Sequence, residues 1–235
     1  MYFLHNKIRP MKIIPYVPAI VCCIVAVAPA ALADSPLTST DFAVAYQDVN
    51  IVRYASKYGL DKKVFQALSD PDVPQDVRAA IVNQIGWSNS PQQNAQLYLD
   101  YVARSHRTQP SDLTLAMLTP EESMGLGYLL AMDNRFFVAT PIGGSGEVQQ
   151  ADALSFLNTA AAKAPEDFSV ALIRSLVQAH QQFAVGPNNW CAVYETVQSV
   201  VDDFPDQRNM RPQAVETIMD YIGIYQEYCG SSVQS

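Results

Sequence analysis

From about residue 40 to the end of the chain, helix-starting and helix-stopping residues recur, with apolar residues at helical spacing between them. No convincing alternation of apolar and polar residues appears anywhere. A chain without period-two patterning has to bury its apolar surface helix against helix. The sequence therefore predicts an all-α fold, a bundle or short array of antiparallel helix hairpins with about seven to nine helices and little or no sheet.

The punctuation is specific. Phe42, Tyr46, Val49 and Val52 start a helix that Gly59 closes, behind a loose leader at 34–39. Asp61 caps a short helix over 62–68, and Pro74 opens a third that ends at Gly86. Ser90-Pro91 reads as a cap and first turn; the helix behind it turns Leu97, Tyr98, Tyr101 and Val102 inward and runs to about Ser105. Residues 111–117 are a shorter candidate. Thr119-Pro120-Glu121-Glu122 has the form of a capping box, with a hydroxyl at the cap and a carboxylate three residues on. Helices are expected over 148–163, over 168–183, around the run Trp190, Tyr194, Val197, Val201 and Phe204, and from Pro212 to about Tyr225.

The segment 133–147, DNRFFVATPIGGSGE, breaks this rhythm. Long loops of this kind in helical proteins often carry function. It separates an N-terminal helical part, 34–132, from a C-terminal one, 148–235, within one domain overall. Two helix ends, AKAPED at 162–167 and DDFPDQ at 202–207, are alike and lie about 40 residues apart, the spacing of paired-helix repeats. AAAKAPED resembles the end of a tetratricopeptide-type helix, and VPQDVRAAIVNQIG at 73–86 resembles a HEAT hairpin. The full tetratricopeptide signature is absent, so both resemblances imply architecture alone.

The N-terminus reads as an export signal. Lys7, Arg9 and Lys12 are the only charges before Asp34; the apolar run Ala19 to Ala28 follows, and Ala31-Leu32-Ala33 ends the segment. The apolar run is shorter than the roughly 20 residues a bilayer needs. Met11 offers a second start that keeps a complete signal. Cys22 lacks the leucine three residues earlier that lipidation requires; Ala19 stands there. The expected mature chain is 34–235, periplasmic or secreted, with no transmembrane segment.

Removing 1–33 takes three basic residues and no acidic ones. What remains holds 12 basic against 23 acidic side chains, a formal charge of −11. Such a surface repels nucleic acid and anionic lipid and suits a basic partner. It also leaves two cysteines, Cys191 and Cys229, which in an exported chain read as one disulfide. They stand near the start of one helix and at the end of the next. Antiparallel packing therefore brings them to the same end of the hairpin, and closing that loop stabilises the fold by about 4 kcal/mol.

Catalytic patterns are sparse. Glu122-Ser123 with Gly125-Leu126-Gly127 resembles, over two residues, the glutamate motif of lytic transglycosylases, which act in the periplasm. The Gly-Leu-Met-Gln segment of that family is missing, and Glu122 also serves the capping box. Gly143-Gly144-Ser145-Gly146 lacks the lysine and spacing of a phosphate loop. His180 reads as a core-edge histidine, and His106 as a cation at a helix end. No residue set calls for a metal or cofactor. Tyr98 and Tyr101, with Tyr221, Tyr225 and Tyr228, are the candidate interaction surface, since tyrosine joins an apolar body to a polar tip.

The expectation is thus a non-catalytic helical protein of the cell envelope that binds another protein, of immunity, inhibitor or scaffold type. The alternative is an envelope hydrolase with its site near 133–147. N-terminal sequencing of the exported protein is expected to read Asp34-Ser35-Pro36; a product still beginning at Met1 or Met11 contradicts cleavage.

Overall fold

The structure, a computed structural model, describes residues 35–87, 93–135 and 137–230. The export segment and the Ser90-Pro91 cap lie outside these residues. Among the described residues there are ten α-helices, four 3-10 segments and no strand. The helices are α1 (Asn50–Tyr58), α2 (Lys62–Ser69), α3 (Gln75–Gly86), α4 (Asn94–Ser105), α5 (Pro120–Asp133), α6 (Glu147–Gln150), α7 (Ala153–Lys163), α8 (Phe168–Val185), α9 (Trp190–Asp203) and α10 (Pro212–Ile222). The fold is all-α, as the patterning predicts.

At the centre is α5. Every residue from Glu122 to Met132 is buried, as expected for a helix that is apolar on all sides. It packs against α3 and α4 on the N-terminal side of the 133–147 segment and against α7 beyond it. Both sides of that segment therefore share one core. The approach of α5 to α7 requires glycine at 127, where a Cβ would stand 2.7 Å from Leu157 Cγ and 2.9 Å from the Ala153 carbonyl.

The caps set the helix starts. Asp61 accepts from the Val64 amide, and Asp152 and Asp167 do the same for Ser155 and Val170. The Thr119–Glu122 capping box is closed in both directions. Gly59, at φ 68°, ends α1 and returns its amide to the Ala55 carbonyl.

Four expected helices are corrected. The first predicted helix is two pieces, a 3-10 turn Phe42–Tyr46 and then α1. The chain turns between them with Val49 extended, because Ala43 and Tyr46 are held by α3 through Asn83 and Asp76. The 148–163 helix is broken before Ala153, where extended Ala151 and Asp152 start a new cap. Residues 111–117 hold no α-helix: they contain the end of a 3-10 turn, Pro110–Asp112, and a separate turn closed by the Met117 amide on the Thr114 carbonyl. The last predicted helix changes at Gly223 from α10 to a 3-10 segment, Gly223–Cys229.

The 34–39 leader is not loose in its described part. Ser35 and Leu37 are buried, and Thr40 donates to the Pro36 carbonyl. Asn83 on α3 explains this anchoring. Its Oδ1 accepts from the Ala43 amide at 3.0 Å, and its Nδ2 donates to the Thr40 carbonyl and to the Tyr128 hydroxyl of α5. All three bonds are buried, where an unmet polar group is costly. Arg78, one turn earlier and also fully buried, donates to the carbonyls of Leu68 and Asp70 and to Gln75 Oε1. It thereby satisfies the C-terminal end of α2, and burial pulls its pKa below the ordinary guanidinium value.

Asn83→Ala is expected to lower unfolding free energy by about 3 kcal/mol in urea titration, because three buried groups lose their partner. Gln47→Ala, which removes an exposed bond to Gln84 and a long one to the Ala43 carbonyl, should cost under about 0.5 kcal/mol. Equal effects would contradict this assignment.

Candidate interaction site

The two alike helix ends face each other. The α7–α8 turn contributes Ala164, Pro165, Glu166 and Asp167, and the α9–α10 turn contributes Asp206, Gln207, Arg208 and Asn209, to an open cleft of about 580 Å³. A second cleft of about 290 Å³ shares Glu166, Asp206 and Gln207 and adds Asp203. Each turn is built by proline after a helix end, which leaves Glu166 and Asp206 outside the helices, while Asp203 is the last residue of α9.

Ser169 and Asn209 lock the turns together. The Ser169 amide donates to Asn209 Oδ1 at 2.9 Å, and its hydroxyl reaches the Asn209 carbonyl at 3.1 Å. Beneath them the rings of Phe168 and Phe204 pack at 5.6 Å. Arg208 donates to the Phe204 and Val201 carbonyls and lies over the Phe168 ring. Glu166, Asp203 and Asp206 are exposed, and none takes part in an ion pair among the described residues. The cleft is therefore framed by hydrogen bonds and a ring contact, and its rim is net negative. The sequence showed the repeated turns; their meeting depends on how α8 packs against α9.

The tyrosines are mostly packing residues. Tyr98 is fully buried and presents no surface; its hydroxyl shares a 2.8 Å bond with Ser69, and burial drives its pKa far up. The inner face of α4 is Ala95, Tyr98, Leu99 and Val102, whereas Leu97, predicted inward, is half exposed. Gly125 is the other side of this contact: a Cβ there would lie 2.9 Å from the Tyr98 ring. Tyr101 is half-buried and stacks on Phe65 at 5.2 Å.

In the C-terminal hairpin the disulfide joins Cys191 and Cys229 with their Cα atoms 4.7 Å apart. Beside it Trp190 stacks on Phe183 and meets Tyr225 and Tyr228 edge-on. Tyr225 is buried, Tyr221 and Tyr228 are half-buried, and the Tyr221 and Tyr225 hydroxyls lie 2.8 Å apart. Disulfide and rings together fasten the last 3-10 segment to α9.

The catalytic candidates are drawn to separate places. Glu122 is buried; besides its capping bond, it receives His106 Nε2 at 2.9 Å and 3.1 Å on its two oxygens. This pairing was not read from the sequence, where only its 16-residue spacing across a turn hints at it. His180 instead bonds through Nε2 to the Arg135 carbonyl at the root of the 133–147 segment. Its Nδ1 is buried without a partner among the described residues, and burial lowers its pKa. The glycine turn is closed on itself: the amides of Gly143 and Gly146 donate to Gln149.

Beside the 133–147 segment lies a cleft of about 310 Å³, lined by Gln93, Gln96, Asp133, Asn134 and Ile142 among others. Asp133 accepts from the Ala95 amide and from Asn94 Nδ2, capping α4 from the end of α5. Burial pushes its carboxyl up to about 6, against the lowering effect of those two bonds.

Comparison with protein-family models, curated proteins and solved structures finds no match to this chain. Among the described residues no helix is long and apolar enough to cross a membrane.

The raised pKa of Asp133 fixes a sign. Between the ordinary 3.8 and about 6 the folded chain holds a proton that the unfolded chain releases. Its contribution is full below pH 3.8 and is lost as pH rises through about 6. The loss is about 3 kcal/mol. Asp133→Asn removes this slope, so its stability relative to wild type should climb by that amount from pH 3 to pH 7 in urea titrations. A constant difference would show that the group titrates normally.

Proposed function

We propose that this chain is an exported, non-catalytic helical protein of the cell envelope that acts by binding another protein, as an immunity protein, inhibitor or scaffold does. The observation that carries this reading is the cleft between the two proline turns. Its rim presents Glu166, Asp203 and Asp206, unpaired, on a frame fixed by Ser169, Asn209 and the Phe168–Phe204 contact. Turns tied to each other in this way lose less backbone entropy on association. The partner is basic: opposite charge speeds encounter and orients the complex. The formal charge of −11 over 34–235 supports the same sign of partner.

A second reading, an envelope hydrolase, is favoured by one observation: Asp133, with its pKa near 6, in the cleft beside 133–147. The carboxyl group is engaged in capping α4, and the cleft lining otherwise offers amides and apolar groups. Loss of an envelope-polymer hydrolysis in Asp133→Asn would favour this reading over the first.

The first reading is tested with the combined variant Glu166→Gln, Asp203→Asn and Asp206→Asn, compared with wild type for capture of envelope proteins at low salt. A bound protein should lose at least tenfold in affinity with the variant, and wild-type binding should weaken steeply as salt rises. Capture indifferent to both changes would contradict the proposal.

A further inference from the structure

We propose that Cys191, Glu195 and Cys229, once the disulfide is reduced, form a binding site for a soft divalent cation of the zinc type. Glu195 lies one helical turn after Cys191 on the same face of α9, and Cys229 comes from the 3-10 segment packed against it. One ligand atom from each residue lies within 4.8 Å of the other two. Ligand atoms around a tetrahedral ion with zinc–sulfur bonds sit about 3.8 Å apart, so the two sulfurs, once freed from their bond, move apart to that distance while the Glu195 carboxylate moves in. Cys229 and Glu195 are exposed and Cys191 is half-buried, which gives both a reductant and an ion a way in.

The chemistry balances with a dithiol as reductant. It gives two electrons and two protons to the Cys191–Cys229 bond, becomes a disulfide itself, and leaves two thiols. A divalent ion then displaces both thiol protons and takes one carboxylate oxygen, leaving a fourth position for water. Two thiolates favour zinc over magnesium or calcium. The ion renews the tie between α9 and the chain end that the disulfide supplies in the oxidised form. This site is independent of the acidic cleft.

The test uses the full chain with Cys22→Ser and Cys23→Ser, reduced with a phosphine and titrated with cobalt(II). One equivalent should bind with a sulfur-to-cobalt charge-transfer band that zinc abolishes. The oxidised chain and Cys229→Ser should show none, and Glu195→Gln should bind about tenfold more weakly. In the unsubstituted reduced chain, zinc should slow alkylation of Cys191 and Cys229, followed peptide by peptide. A reduced chain without the band, a band that survives Cys229→Ser, unchanged affinity in Glu195→Gln, or alkylation indifferent to zinc would overturn the proposal.

Discussion

The three buried hydrogen bonds of Asn83 hold together elements that sequence keeps far apart. One side chain on α3 meets the leader carbonyl of Thr40, the first 3-10 turn at Ala43 and the central helix at Tyr128. A carboxamide has two donors and an acceptor in a fixed plane, so it can satisfy these groups in one arrangement only. That arrangement sets where the chain enters the bundle and how α3 faces α5. Tyr46, fixed at the end of the same turn, donates to Asp76 and accepts from the Arg211 amide, which extends the register to the start of α10. The polar core thus specifies packing that apolar contacts alone leave degenerate.

Much of the fold was legible because it is locally encoded. Asp61, the Thr119–Glu122 box and Gly59 act within a few residues, and the helices they bound sit close to where punctuation puts them. The disulfide was legible from hairpin arithmetic. What failed depends on distant partners. The leader looks loose until Asn83, some 40 residues on, is placed. The α4 start near Ser90-Pro91 gives no hint that a carboxylate from α5 caps the helix. Tyr98 shares its helix with exposed Leu97, and which of them turns inward is decided by the space above Gly125.

The site shows the same division. The similarity of AKAPED and DDFPDQ is visible in the letters, and so is the acidity of the chain. That the two turns meet, with Glu166 and Asp206 on one rim, follows from packing of Phe168 on Phe204 and from the Ser169–Asn209 lock. The tyrosines favoured from sequence serve chiefly as mortar: Tyr98 in the core, Tyr225 and Tyr228 around Trp190. His106 and His180 are likewise committed, one to Glu122 and one to the Arg135 carbonyl. Charge at the turns is left as the feature least explained by folding, which is why it bears the functional proposal.

The most direct measurement is zero-length carbodiimide cross-linking in envelope extract at low salt, with the joined peptides read by mass spectrometry. The account predicts amide links from Glu166, Asp203 or Asp206 to lysines of one basic protein. Links confined to other carboxylates, with these three left unmodified by the partner, would contradict it.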